Sequence, residues 1–403
     1  MTTTLRTTPL ALLRSRSYLL LWSAQLASTL GDFFNYIAMA WFVLRLTNSG
    51  LALGGVLTAM AAPRAAFMIA GGVMIDRFSP RLVMLSAAFA RGVIMAAVTA
   101  VAVSGHAQLW MLIVAAVFVG TIAGFFLPAQ SSMLPSIVEG DQLVAGNSLI
   151  MFSQQAAGVF GPALGGLVVA FVGAGAAFGV DAAGFLAAGL LAMLLPAGAT
   201  VPSGENPLRQ IWDGLVTVGR DLPLVSVLVV IAVFALFGNA GVEVGIPALA
   251  HQRFVNGAVA LGLLFAAWGL GSAAGAVAVG MLPRPRRVGV VIAGAAALIG
   301  VGLAVTGVVG NLIALIVTMA ICGIAGGVLS TYGISWVQQR AEPAMLGRVM
   351  SLAMFAISGT EPIGLAMAGG FVQHSLGLLF WICAVAIVAT AGGALLVPAV
   401  RRM

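Results

Sequence analysis

Six ionisable side chains stand inside long apolar runs: Asp32, Arg64, Arg91, Asp181, Glu243 and Glu361. An ionisable group at the centre of a bilayer costs at least about 2.5–3.5 kcal/mol, so such residues persist in a cavity or beside a partner. Counting about 1.5 Å of rise per residue, Asp32 lies on the order of 21 Å into the first run, and Arg64 lies at a similar level in the second. Glu361 is also near the middle of its run, whereas Arg91 is shallower, about 14 Å from the start of the third. The chemistry open to such carboxylates is reversible proton binding. The alternative for Asp32 is a permanent ion pair with Arg64 or Arg91 that ties the first three helices together. Glu361 precedes Pro362, where a bent helix frees backbone groups, so it can bind a proton, contact a cation or cap locally. Asp181 and Glu243 fall toward the outer halves of their runs, within reach of interfacial water. Phe33, Tyr36, Gln154, Gln155, Asn239 and Tyr332 are candidates for lining a substrate cavity. His106, His251 and His374 sit at run ends with no ligand spacing, and Cys322 and Cys383 are isolated, so no metal site is expected.

The elements that must position these residues follow from composition. Of 403 residues, 61% are hydrophobic and 7% charged, and mean hydropathy is +1.13. Soluble domains sit near 45–50% apolar and about 25% charged, which excludes a water-soluble enzyme, a nucleic-acid binder or a disordered chain. We read twelve membrane spans, at 18–46, 51–75, 82–104, 108–133, 142–172, 176–196, 222–249, 258–282, 288–308, 312–336, 346–372 and 377–398. The fold class is an all-α membrane protein with two pseudo-symmetric six-helix bundles, 1–196 and 222–403. They are joined by a cytoplasmic linker, 197–221, in which Leu208, Ile211, Trp212 and Leu215 have the spacing of an amphipathic surface helix.

All 18 cations are arginine. They concentrate in alternate connectors, which places those connectors and both termini in the cytoplasm. Only Arg45 and Arg253 fall near the outer side. The halves also resemble each other: Leu143, Ser148, Leu149, Met151, Phe152 and Gly161 recur as Leu346, Ser351, Leu352, Met354, Phe355 and Gly364 at one common offset. Parallel halves imply a site at the midplane, reached by rocking.

Two motifs carry a family resemblance. The segment Gly72-Val-Met-Ile-Asp76-Arg77-Phe-Ser-Pro-Arg81 resembles the loop motif of the major facilitator superfamily, matching it at Gly72, Asp76, Arg77 and Arg81. Ser79 and Pro80 replace the usual glycine and arginine. The resemblance implies a cytoplasmic latch against helix 11, with Asp76 at the positive amino end of that helix. The second-half counterpart keeps Arg284, Arg286 and Arg287 but has no aspartate. Gly161-Pro162-Ala-Leu-Gly165-Gly166 in helix 5 resembles the antiporter motif of exporters in the superfamily, with Ala157 where a further glycine is usual. Leu30-Gly31-Asp32, Leu46-Thr47-Asn48-Ser49-Gly50, Gly146-Asn147-Ser148 and Leu346-Gly347-Arg348-Val349 resemble the macrolide-efflux and enterobactin-exporter branch.

What the resemblance implies is the major facilitator fold and export of a hydrophobic or amphipathic small molecule in exchange for protons. No cofactor is expected; the chain has no G-x-x-x-x-G-K-[ST] nucleotide loop, so coupling must come from an ion gradient, which the resemblance implies is a gradient of protons. The expected partners are the small-molecule substrate and the lipid bilayer, with no nucleic acid, and the expected form is a monomer in a bacterial inner membrane. Uptake, or siderophore or lipid transport on the same fold, is the nearest alternative. A membrane-embedded enzyme is the distant one, because the histidines and cysteines form no catalytic constellation.

Overall fold

In the computed structural model of the protein, residues 9–138, 142–197, 218–219, 221–283, 285–341 and 345–401 are described. Among these residues every regular element is a helix. Twelve helices are long: α1 (Arg16–Thr47), α2 (Gly50–Arg77), α3 (Pro80–Ser104), α4 (Leu109–Met133), α5 (Gln142–Phe171) and α6 (Ala174–Met193), then α7 (Leu222–Arg253), α8 (Gly257–Met281), α9 (Val288–Val308), α10 (Leu312–Arg340), α11 (Leu346–His374) and α12 (Leu376–Leu396). Eleven are long and apolar enough to cross a membrane. The twelfth is α1, whose 32 residues suffice in length but whose Gln25, Ser28, Asp32 and Asn35 lower its hydropathy. The expected surface helix around Leu208–Leu215 lies outside the described residues.

Two compact units hold most internal contacts. One comprises residues 1–39 and 63–204, the other 40–62 and 205–403. In the first, α3 packs along α6 and α4; in the second, α9 packs along α12 and α10 in the same pairing.

Helix ends are fixed by local chemistry. Ser79 accepts from the Leu82 N–H (3.3 Å) and Pro80 follows, so the two departures from the loop motif form the cap and first residue of α3. Gly105 ends that helix at φ 74. Arg81 donates to the Met193 carbonyl at the carboxyl end of α6. In the second unit, Arg253 donates to the Val309 (2.7 Å) and Gly307 (2.9 Å) carbonyls at the end of α9. A cation belongs at a helix C-terminus, where carbonyls lack intrahelical partners. Arg253 therefore departs from the charge alternation because it caps a helix. Asp221 accepts from the Leu224 N–H at the start of α7 and from Arg340 Nε (2.7 Å) at the end of α10.

Small residues set the closest helix approaches. Gly271 and Gly275 on α8 face the Ala320 and Ile324 carbonyls of α10, while Gly323 and Gly327 on α10 face the Trp268 and Ser272 carbonyls of α8. Any Cβ on these four positions would fall well inside van der Waals contact with backbone oxygen, which cannot swing away. Gly323→Ala is accordingly expected to cost about 1–3 kcal/mol by overpacking. The check is the unfolding midpoint of purified protein; a wild-type midpoint would show that the two backbones part freely.

α7 is irregular near its middle. Phe234–Gly238 and Ala240–Gly245 are π-helical, flanking Asn239. The apolar run 222–249 reads as one regular helix in sequence, so this irregularity is a departure from expectation. Gly364 of α11 lies directly against the Leu236 carbonyl within that segment. In the same unit, Gly54 of α2 abuts Gly369 of α11, and Thr58 donates to the Pro362 carbonyl (3.3 Å).

Candidate functional site

A polar stripe runs down one face of α1. Gln25, Ser28, Asp32 and Asn35 follow helical i, i+3, i+4 spacing and so share a side. Gln25, Ser28 and Asn35 are buried, whereas the Asp32 side chain is 50% exposed. Opposite Asp32 stands Arg91 of α3, whose Nη2 lies 2.6 Å from Asp32 Oδ1. The same Nη2 donates to Asp181 of α6, at 3.2 Å to Oδ1 and 3.4 Å to Oδ2. Asp181 is wholly buried, and Arg91 is nearly so.

The surrounding residues explain why the three meet. A Cβ on Gly31 would lie 2.7 Å from Asp181 Oδ1, and one on Gly184 would lie 2.7 Å from the Ala27 carbonyl. Glycine at both positions lets α1 and α6 approach closely enough for one guanidinium to serve both carboxylates. The guanidinium also stacks on Phe185, with its central carbon 3.9 Å from the ring centroid, and Phe126 meets Phe185 edge-on at 5.5 Å. A delocalised, weakly hydrated cation suits this place better than an ammonium would. Arg91 Nε and Asn35 Oδ1 are buried without a hydrogen-bond partner among the described residues.

The chemical capacity of the trio follows from charge arithmetic. Two carboxylates and one guanidinium sum to −1 when all are ionised, so one added proton brings the cluster to neutrality. In an apolar surround a neutral cluster and a singly charged one differ strongly in solvation. Asp32 is the solvent-exposed member of the trio, and Asp181 contacts the arginine from within.

This arrangement decides between the partners open to Asp32 in sequence: Arg91 pairs with it. It also corrects the expectation for Asp181, which meets Arg91 in the interior rather than reaching interfacial water. Sequence reasoning missed that role because the direction of a side chain around α6 depends on helix packing. The usable signal was the pairing of small Gly31 and Gly184 with acids beside or near them. Arg64 and Glu361 are half-buried in α2 and α11, and each has an interacting neighbour.

Helix α5 is joined to α1 along its length. Tyr18 donates to the Gly146 carbonyl (2.9 Å), and Trp22 Nε1 donates to Ser153 Oγ (2.8 Å). A Cβ on Gly161 would lie 2.8 Å from Phe33 Cβ, and Gly165 faces Phe34 and Ile37. The Gly161-Pro162-Ala-Leu-Gly165-Gly166 segment is thus a bed for α1, with Phe33 packed on it. Phe34 and Trp336 are buried core residues. Tyr36 has an interacting neighbour, Gln154 and Tyr332 are half-buried, and Gln155 is exposed. Of the loop motif, Gly72, Asp76 and Arg77 lie in the last turns of α2, and their side chains are outside the described residues. Arg81 is described, and it caps α6.

In the second unit, a cavity of about 190 Å³ is lined by residues of α7, α10 and α11, Asn239 among them. The remaining sequence candidates for cavity lining do not border it.

Comparison with known proteins gives the same picture at family level. The description of the Major Facilitator Superfamily matches residues 21–365. The enterobactin exporter EntS of Shigella boydii is 26% identical over 337 residues, spanning 83% of this chain and 80% of that protein. EntS of Escherichia coli matches with the same identity and coverage. Among solved structures, a POT family transporter in complex with 5-aminolevulinic acid superposes with a TM-score of 0.78 at 12% identity, covering 96% of this chain and 97% of the other. The nucleoside transporter NupG superposes with a TM-score of 0.75 at 13% identity, covering 94% and 99%. At these identities the structural likeness speaks to the fold.

Proposed function

Since the chain belongs to the major facilitator superfamily of membrane transporters, we propose that it is a secondary exporter of a hydrophobic or amphipathic small molecule, driven by exchange for protons. The observation that carries the coupling is the Asp32–Arg91–Asp181 cluster, in which a half-exposed carboxylate shares a buried guanidinium with a second, wholly buried carboxylate. Such a cluster takes up one proton and becomes neutral, and that change in charge is what a substrate or a conformational step can respond to. Asp32 is the proton-binding group in this reading, Arg91 its partner and Asp181 the group that positions Arg91. Glu361, half-buried beside Pro362 in α11, is a second candidate for proton or cation contact.

Outward direction is supported by likeness to proteins named as enterobactin exporters and by the antiporter-like segment of α5. The pattern of arginine-bearing connectors supports a bacterial inner-membrane location with both termini in the cytoplasm. Alternating access between two repeated units is the mode of transport that suits this architecture.

The test is accumulation of macrolides, dyes and catechol siderophores in pump-deficient bacteria that express the protein, with and without a protonophore. Reduced accumulation of at least one class, abolished by the protonophore, is the expected outcome. Increased accumulation would reverse the direction. Reduction that survives the protonophore would remove the proton from the mechanism.

A further inference from the structure

The cavity of the second unit has a composition that narrows what can occupy it. Its volume is about 190 Å³, and Ile231, Phe234, Leu329, Ile334 and Ile357 form most of its wall. An apolar protein cavity of about 150 Å³ stays dry and binds benzene. A space slightly larger therefore accommodates one six-membered ring with a small substituent. Among the described residues, no charged one borders it. A charged group entering would lose its hydration without compensation.

Two polar side chains, Asn239 and Ser330, reach this apolar wall. Ser330 Oγ donates to the Gly327 carbonyl at 3.2 Å, which leaves its lone pairs as acceptors. Asn239 is half-buried, and its carboxamide brings both a donor and an acceptor to the cavity. The backbone explains how it gets there. Ala235, which also borders the cavity, precedes Asn239 by four residues and so already shares its face, and the π-helical stretches lie on either side of Asn239. A helix irregularity, an amide and a ring-sized space thus coincide at one place.

We propose that this cavity is the subsite for an uncharged six-membered ring of the transported molecule, with Asn239 hydrogen-bonding a polar substituent on the edge of the ring. The proposal rests on the exporter reading and specifies its substrate. Part of the substrate is a neutral ring carrying a hydroxyl or a similar group, and any charge it bears lies on another part of the molecule.

The test uses the full chain with Cys322→Ala and Cys383→Ala, since both native cysteines are buried, and with Ser330→Cys as reporter. The reporter is treated with benzyl methanethiosulfonate and with its trimethylammonium-ethyl and sulfonatoethyl analogues. The benzyl reagent is expected to react faster than either charged reagent by about tenfold or more. Phenol and toluene are each expected to slow the benzyl reaction. Asn239→Leu is expected to abolish protection by phenol and keep protection by toluene. Ile357→Cys serves as a second reporter should the first fail to yield monodisperse protein.

Equal rates for neutral and charged reagents would overturn the proposal, as would absence of protection by both rings or failure of both reporters to react. Phenol protection that survives Asn239→Leu would remove Asn239 from recognition and overturn its assigned role. Labelling needs neither a gradient nor a direction of transport, so a negative result here with normal protonophore-sensitive export refutes the subsite alone.

Discussion

Arg91→Met is expected to destabilise the protein by about 3–5 kcal/mol, the cost of stranding a buried charge by removing its partner. Asp181 is wholly buried, and Arg91 is the cation that its carboxylate contacts at 3.2 and 3.4 Å. Methionine fills much of the arginine volume and can lie on Phe185, so the loss falls mainly on the charge. The double variant Arg91→Met/Asp181→Asn is expected to recover most of the stability, because the stranded carboxylate is gone. Arg91→Met/Asp32→Asn should recover far less, since Asp32 is half-exposed and can be hydrated without Arg91. Unfolding midpoints of the purified proteins in detergent, titrated with dodecyl sulfate, measure all three. If Asp32→Asn rescues Arg91→Met as well as Asp181→Asn does, the division between a structural and an exposed carboxylate is wrong.

The second large effect is on transport. Asp32→Asn is expected to reduce protonophore-sensitive export to the level of cells without the protein, while its unfolding midpoint stays close to that of the parent. Asparagine keeps the size of the side chain and fixes it in an uncharged form resembling the protonated acid. Substrate binding and exchange of substrate across preloaded vesicles should persist and lose their dependence on pH. That last readout separates proton coupling from a merely structural pair, because loss of packing would lower exchange as well. Gradient-driven export that continues unchanged in Asp32→Asn would exclude Asp32 as the coupling group.

Eleven of the spans were legible because each is an apolar run of sufficient length, and the cations mark the ends of runs at alternate connectors. The Ser79-Pro80 pair reads in sequence as a departure from a motif, and in the structure as the cap of α3. The partner of Asp32 was legible only as a choice between Arg64 and Arg91. The rotation of α3 and α6 about their axes decides it, and hydrophobic periodicity is weak in helices that are apolar on every side. The same weakness hid the burial of Asp181 and the packing of Phe33 on Gly161. The π-helical stretch of α7 was invisible because it has no proline and alters no composition. Arg253 reads as an exception to charge alternation until its two carbonyl acceptors on α9 are seen.

The ion trio also bears on how the first unit is made. Its three members come from the first, third and sixth helices, so they leave the ribosome far apart in time. α1 enters the bilayer with Asp32 unneutralised and with a hydropathy below that of the other eleven spans. Its counter-ion arrives only with Arg91, and Asp181 closes the set when α6 is complete. Insertion of α1 therefore depends on segments synthesised later, and its charge is fully matched only once α6 is complete. Variants that lose Arg91 should consequently reach the membrane in smaller amounts than the parent, apart from any effect on transport.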